Sequence, residues 1–212
     1  MRRDALPPVL VLTDRLAARR AGRSLTEVVE ALRGSPALLV YREKDLEPDA
    51  RRELGSEVMG CAGELGVVVA SDLHLALELG ALGVHLSATD PRPSSRGLIV
   101  GRSCHDRGEL AAARCDYATL SPVHPTSSKP GYGPTLGIDG LTAVMAGFPG
   151  RGRLPVFALG GIAAGDAGPC VGAGAFGVAV MGSAMTAPEP RALVEQLAAE
   201  VLAARTSEEV PG

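Results

Sequence analysis

The sequence predicts an α/β fold, a single (β/α)8 TIM barrel spanning residues 1–212, and three observations carry that reading. Eight short apolar runs alternate with helical segments along 212 residues, and eight is the number of βα repeats that closes a barrel. The runs lack polar alternation, as parallel strands buried on both faces do. The last two, Val156 to Leu159 and Phe176 to Met181, end in Gly160-Gly161 and Gly182-Ser183. Glycine pairs ahead of helix N-termini on adjacent strands resemble the phosphate site after strands seven and eight of such barrels. Taken singly, either pair also suits a tight turn.

The elements follow in order. Leu6 to Leu12 reads as strand one, ended by Thr13-Asp14. Ser24 and Glu27 form a capping box for a helix that Gly34 closes. Ala37 to Tyr41 is strand two, and Pro48-Asp49 opens a helix to Ala62. Leu65 to Ala70 is strand three, Ser71 or Asp72 caps the next helix, and Gly83 to Leu86 is strand four. Thr89-Asp90-Pro91 opens a short segment rather than a full helix. Leu98 to His105 is strand five, with a helix over Gly108 to Ala113, and Tyr117 to Val123 is strand six. The loop from His124 to Gly137 has the length of a lid or binding loop, and Asp139 is placed to cap the helix after it. A final helix starts at Pro188, and the tail from Thr206 is expected to fray.

The net charge of −3 and an aromatic content of 3% without tryptophan speak against nucleic acid as a partner. No apolar run of about eighteen residues exists and the first residues do not read as a signal peptide, so a cytoplasmic protein without membrane contact is expected. Cys61, Cys104, Cys115 and Cys170 lack metal-ligand spacing and read as reduced thiols. There is no asparagine, and only Lys44 and Lys129 of the 21 basic residues are lysines. Arginine serves wherever a positive charge suffices, which makes the two lysines candidates for function.

In a barrel of this type the site lies at the carboxyl ends of the strands. The polar residues there are Thr13, Arg42, Lys44, His85, Ser103, His105, His124, Thr126, Ser128 and Lys129; the remaining histidine, His74, falls inside a helix. Arg42 and Lys44 share a side if the chain stays extended, although Glu43 and Asp45 could equally neutralise them as a solvated charge string. Thr126, Ser128 and Lys129 offer hydroxyls and an ammonium suited to phosphate oxygens, or form a polar loop tip. Three cations facing a glycine-lined anion site point to substrates carrying more than one phosphate.

YREKD after strand two, GRSCHD after strand five, SPVHPTSSKPG after strand six, ALGGI after strand seven and GVAVMGSA on strand eight occur in that order. This ordered set, over Leu10 to Met185, resembles the thiamine phosphate synthase and TenI-like family. The resemblance implies the same barrel and one of two activities. Synthases join hydroxymethylpyrimidine diphosphate to thiazole phosphate, with Mg²⁺ on the departing pyrophosphate and a cationic pyrimidine intermediate. TenI-like members isomerise a thiazole carboxylate phosphate and need no metal cofactor. By the resemblance, Arg42, Lys44, Ser103, Thr126, Ser128 and Lys129 hold pyrophosphate or pyrimidine, and Gly160, Gly161, Gly182 and Ser183 hold the thiazole phosphate. A homodimer is the expected assembly.

Departures from the family pattern separate the readings. Val40 stands where synthases carry glutamine and Ala70-Ser71 where they carry Asn-Asp, which would leave an apolar pocket wall. Asp90 remains as one metal carboxylate, and Asp72 is one residue out of place. The position of a tautomerase histidine is taken by Pro122, with His124 two residues on and on the same face of an extended chain. The first reading is therefore a TenI-like isomerase using His124 as acid/base, with His105 and His85 in reserve and Lys44 completing the candidate catalytic set. The second is a synthase in which Asp90 and substrate oxygens hold Mg²⁺, and the third a non-catalytic or repurposed binder of heterocyclic phosphates.

Overall fold

The eight apolar runs become eight parallel strands in the computed structural model, which describes residues 6–94, 97–126, 134–150 and 153–208. They are β1 (Val9–Leu12), β2 (Ala37–Tyr41), β3 (Gly66–Ala70), β4 (Gly83–Leu86), β5 (Ile99–Cys104), β6 (Tyr117–Leu120), β7 (Val156–Leu159) and β8 (Gly177–Val180). Each pairs with its neighbour in sequence, and β8 returns to β1 through Val178 opposite Val9 and Ala179 opposite Leu10. The ring is closed, so no strand edge is left open; at the start of β5 the Val100 N–H is taken by the Asp116 carboxylate at 2.8 Å.

Continuous apolar strands are required because both faces are buried. Leu10, Leu38, Val40, Val68, Tyr117 and Phe157 fill the barrel interior. The alternate residues, among them Val9, Val11, Leu39, Tyr41 and Val69, pack outward beneath the helices. The expectation that Val40 and Ala70 form an apolar wall of the pocket is corrected here: both are fully enclosed in the interior cluster, below the mouth.

The helices of the outer layer are α1 (Arg15–Arg20), α2 (Leu25–Ala31), α3 (Pro48–Ala62), α4 (Leu73–Glu78), α5 (Arg107–Ala112), α6 (Gly137–Ala146), α7 (Ala167–Gly172), α8 (Gly182–Thr186) and α9 (Pro190–Glu208). The Ser24–Glu27 capping box forms as expected, and Asp72 rather than Ser71 caps α4. Several elements differ from the sequence reading: β1 starts at Val9 and not Leu6, β6 ends at Leu120 and not Val123, and three helices are placed differently. Helix α1 precedes the capping box, started by Asp14, whose side chain accepts from the Ala17 N–H at 2.9 Å. Asp139 lies inside the first turn of α6, and Leu136 takes the cap position with no side-chain bond. Helix α9 begins at Pro190 and runs past Thr206 to Glu208; the Thr206 and Ser207 hydroxyls donate to the carbonyls of Leu202 and Ala203, both at 3.0 Å. Residues 209–212 lie outside the described residues.

All four cysteines are free thiols, and burial raises the Cys104 thiol to about 12 and that of Cys115 to about 11. Among the described residues no helix is long and apolar enough to cross a membrane.

Candidate active site

A cavity of about 660 Å³ opens at the carboxyl ends of the strands, within the size range of small-molecule sites. Arg42 and Lys44 both line it. The chain does not stay extended between them, because the Lys44 N–H turns back to the Arg42 carbonyl at 3.0 Å. Their acidic neighbours are drawn away by α1. Arg15 donates to Glu43 at 3.0 Å and, bidentate, to Asp45 at 2.8 and 2.7 Å. Its hydrogen bonds hold Asp45 below the usual carboxylate range. The charge string is thereby sorted, with the carboxylates on Arg15 and the two cations at the cavity.

Beyond Lys44 the ends of β3 and β4 contribute an acidic corner. The Lys44 Nζ donates to Ser71 Oγ at 2.6 Å, and Ser71 is held at φ 54°, a left-handed backbone uncommon for serine. Partial burial would raise the Asp90 carboxyl, but hydrogen bonds from Ser71 and Ser87 and the nearby Lys44 ammonium outweigh it and keep Asp90 ionised below the usual range. The Ser87 N–H reaches Asp90 Oδ2 at 2.7 Å. Arg102, facing outward from β5, holds this segment in place by donating to the carbonyls of Ser87, Ala88 and Asp90 at 2.9, 2.9 and 2.8 Å. Asp72 is committed elsewhere, accepting from the Leu75 N–H and from Arg51.

Four strands round the ring from this corner, the loops after β7 and β8 supply bare backbone. Gly160 and Gly161 have φ 106° and 65°, and a Cβ on Gly161 would stand 2.5 Å from the Pro125 carbonyl oxygen. A side chain is excluded on both counts. The loop after β6 is bonded to this one through Val123 N–H to Leu159 O and His124 N–H to Gly160 O, each 2.9 Å. Ser183 donates to the Ile162 carbonyl at 2.8 Å, joining the loops after β7 and β8. Gly160, Gly161, Gly182 and Ser183 all line the cavity, and the first N–H groups of α8 begin there.

Ser103, His105 and Thr126 also line the cavity. His105 is held against Glu109, Nδ1 to Oε2 at 2.9 Å. His124 is not among the lining residues; its Nε2 lies 3.9 Å from Asp166 Oδ1 and has no hydrogen-bond partner among the described residues. Ser128 and Lys129 lie outside the described residues. His74 is exposed on α4. The sequence reading missed Arg20, which lines the cavity from the last turn of α1, and Arg102; recognising Asp14 as a cap would have revealed the first, whereas no local signal marks the second.

The family model described as thiamine monophosphate synthase matches residues 9–184. The chain belongs to this family. A thiamine-phosphate synthase of Thioalkalivibrio sulfidiphilus is 36% identical over 186 residues, covering 79% of this chain and 83% of its own. A Geobacter sulfurreducens protein is 37% identical over 211 residues, covering 94% of this chain and 96% of its own. Among solved structures, the thiamine phosphate pyrophosphorylase from Pyrococcus furiosus superposes with a TM-score of 0.74 at 26% identity, covering 92% of this chain and 96% of that one. The family match over residues 9–184 and the superposition agree with the barrel described above.

Proposed function

We propose that this chain is a thiamine phosphate synthase, joining hydroxymethylpyrimidine diphosphate to thiazole phosphate with release of pyrophosphate. One observation carries the reading: a single cavity is lined by the cations Arg42 and Lys44 after β2 and by the glycine backbone after β7 and β8, two to three strands away round the ring, so two anionic substrates can meet between them. The isomerase reading needs a proton-transferring group at the cavity, and His124, its first candidate, does not line it. A second reading as an isomerase is favoured by His105, which lines it together with Lys44 and is paired with Glu109.

In the proposed reaction the bond from the pyrimidine methylene carbon to the diphosphate oxygen breaks, and its electron pair leaves with pyrophosphate. The thiazole nitrogen lone pair forms the new C–N bond, so nothing is oxidised or reduced. Arg42 and Lys44 stabilise the charge that grows on the leaving group, and Thr126, with Ser128 and Lys129 from the same loop, would add hydroxyls and an ammonium. Gly160, Gly161, Gly182 and Ser183 would hold the thiazole phosphate, fixing its ring nitrogen toward the carbon.

Among the described residues no group of three or more His, Cys, Asp or Glu gathers as a ligand set, and the chain offers the ionised Asp90 beside the Ser71 hydroxyl. That fits an ion which takes most of its oxygens from a diphosphate and water, the usual habit of Mg²⁺. When bound it would supply charge neutralisation to the leaving group. The test is formation of thiamine phosphate from the two substrates with and without Mg²⁺. Mg²⁺-dependent product is expected; no product, together with turnover of the thiazole carboxylate tautomer, overturns the reading in favour of the isomerase.

A further inference from the structure

Beneath the cavity, β4, β5 and β6 place His85, Gly101 and Tyr117 side by side, each the register partner of the next. All three face the interior, and Gly101 leaves a gap over which the outer two reach each other. A Cβ there would lie 2.2 Å from Tyr117 Cζ and 2.6 Å from His85 Nδ1. His85 Nδ1 and the Tyr117 hydroxyl are 3.0 Å apart. One step up β5, on the same face, Ser103 Oγ lies 3.0 Å from His85 Nε2 and lines the cavity. A chain of three polar groups thus runs from the apolar interior to the substrate space.

The protons on that chain have one arrangement that leaves nothing unmatched. Tyr117 is fully buried, its ring packed edge-on against Phe157 at 5.8 Å, and His85 Nδ1 is the one hydrogen-bond partner of its hydroxyl among the described residues. The hydroxyl must therefore donate to Nδ1 or keep a buried proton without an acceptor. With Nδ1 accepting, the neutral imidazole carries its proton on Nε2 and donates it to Ser103 Oγ. The Ser103 proton is then left to point into the cavity. The reverse polarity strands the Tyr117 proton among aromatic rings. Burial first, and then the charges of Lys44, Arg42 and Arg102, push the imidazole down to about 3, which keeps the ring neutral.

We propose that Tyr117 and His85 are positioning residues which fix the Ser103 hydroxyl as an obligatory donor to an acceptor atom of the substrate. On the synthase reading, on which the identity of the acceptor rests, that atom is a ring nitrogen or diphosphate oxygen of the pyrimidine substrate. The site thereby selects for a lone pair at this position and excludes a competing donor.

Long-range ¹⁵N–¹H NMR on histidine-labelled protein tests the relay without turnover, with the His85 signals identified by their loss in His85→Gln. The Nε2–H tautomer, unchanged between pH 5 and 8, is expected; an Nδ1–H tautomer, or protonation in that range, overturns the proposal. Tyr117→Phe keeps the ring and should shift His85 toward the other tautomer. On the synthase reading kcat/KM for the pyrimidine diphosphate then falls about tenfold, the worth of one lost hydrogen bond, with KM for thiazole phosphate unmoved. Ser103→Ala should fall equally and the double variant no further. If Tyr117→Phe lowers only the thermal midpoint, leaving tautomer and kinetics unmoved, the chain is packing alone and the proposal is wrong. Should the wild type make no thiamine phosphate, the synthase reading fails by itself and the tautomer decides the relay.

Discussion

Arg42, Glu43, Lys44 and Asp45 alternate in sign, and their division between Arg15 and the cavity is a matter of individual contacts. Lys44→Ala should lower kcat/KM for the pyrimidine diphosphate by about 10²–10³, as loss of a transition-state charge contact does. A steady-state comparison checks this, and an unchanged value would remove Lys44 from the machinery. Gly161→Ala sets a Cβ against the Pro125 carbonyl at positive φ, so KM for thiazole phosphate should rise and stability fall by about 1–3 kcal/mol, read by urea titration. That Lys44 and the glycine pairs lie at the cavity was legible, because lysine is rare here and glycine pairs recur at strand ends. The roles of His124 and Val40 were less so: the first is turned toward Asp166 and the second sealed inside the barrel, and neither direction follows from spacing along the chain.

Helix α1 has six residues, too short to persist alone, and depends on its Asp14 cap and its ion pairs. Asp14→Ala should cost about 1 kcal/mol of stability, measured by denaturant midpoint. Arg15→Ala acts further: it removes the guanidinium from Glu43, whose side chain is 3% exposed and keeps the backbone N–H of residue 15, and frees Asp45 to compete for Arg42 and Lys44. Destabilisation of about 1–3 kcal/mol is expected. Pyrophosphate affinity measured by calorimetry should weaken as well; unaltered affinity would mean the sorting of charge has no bearing on the site. At this scale the sequence reading recovered β2, β4, β7 and the bounds of α3, where apolar runs and caps are local signals. It missed α1 because Thr13-Asp14 was read as the end of a strand and not also as the start of a helix.

Closure of the barrel gives the molecule both its interior and a pH response. His85 is neutral when folded down to about pH 3 but takes a proton near 6.5 when unfolded. Its contribution to stability is complete above pH 6.5 and is lost as pH falls from there toward 3, by about 1.4 kcal/mol per pH unit. Urea midpoints at pH 7, 6 and 5 should fall more steeply for the wild type than for His85→Gln, and equal slopes would show that the imidazole is not held neutral. The sequence by itself determined the eight-fold βα count, the buried character of the strands and the polar rim at which the cavity opens, because each of these is written in local periodicity and composition. Only the tertiary structure decided which rim residues meet. Arg15 reaches Glu43 across 28 positions, His85 meets Tyr117 across 32 and Lys44 meets Ser71 across 27, since closing the ring brings together side chains whose encounter depends on register and on the direction each strand presents.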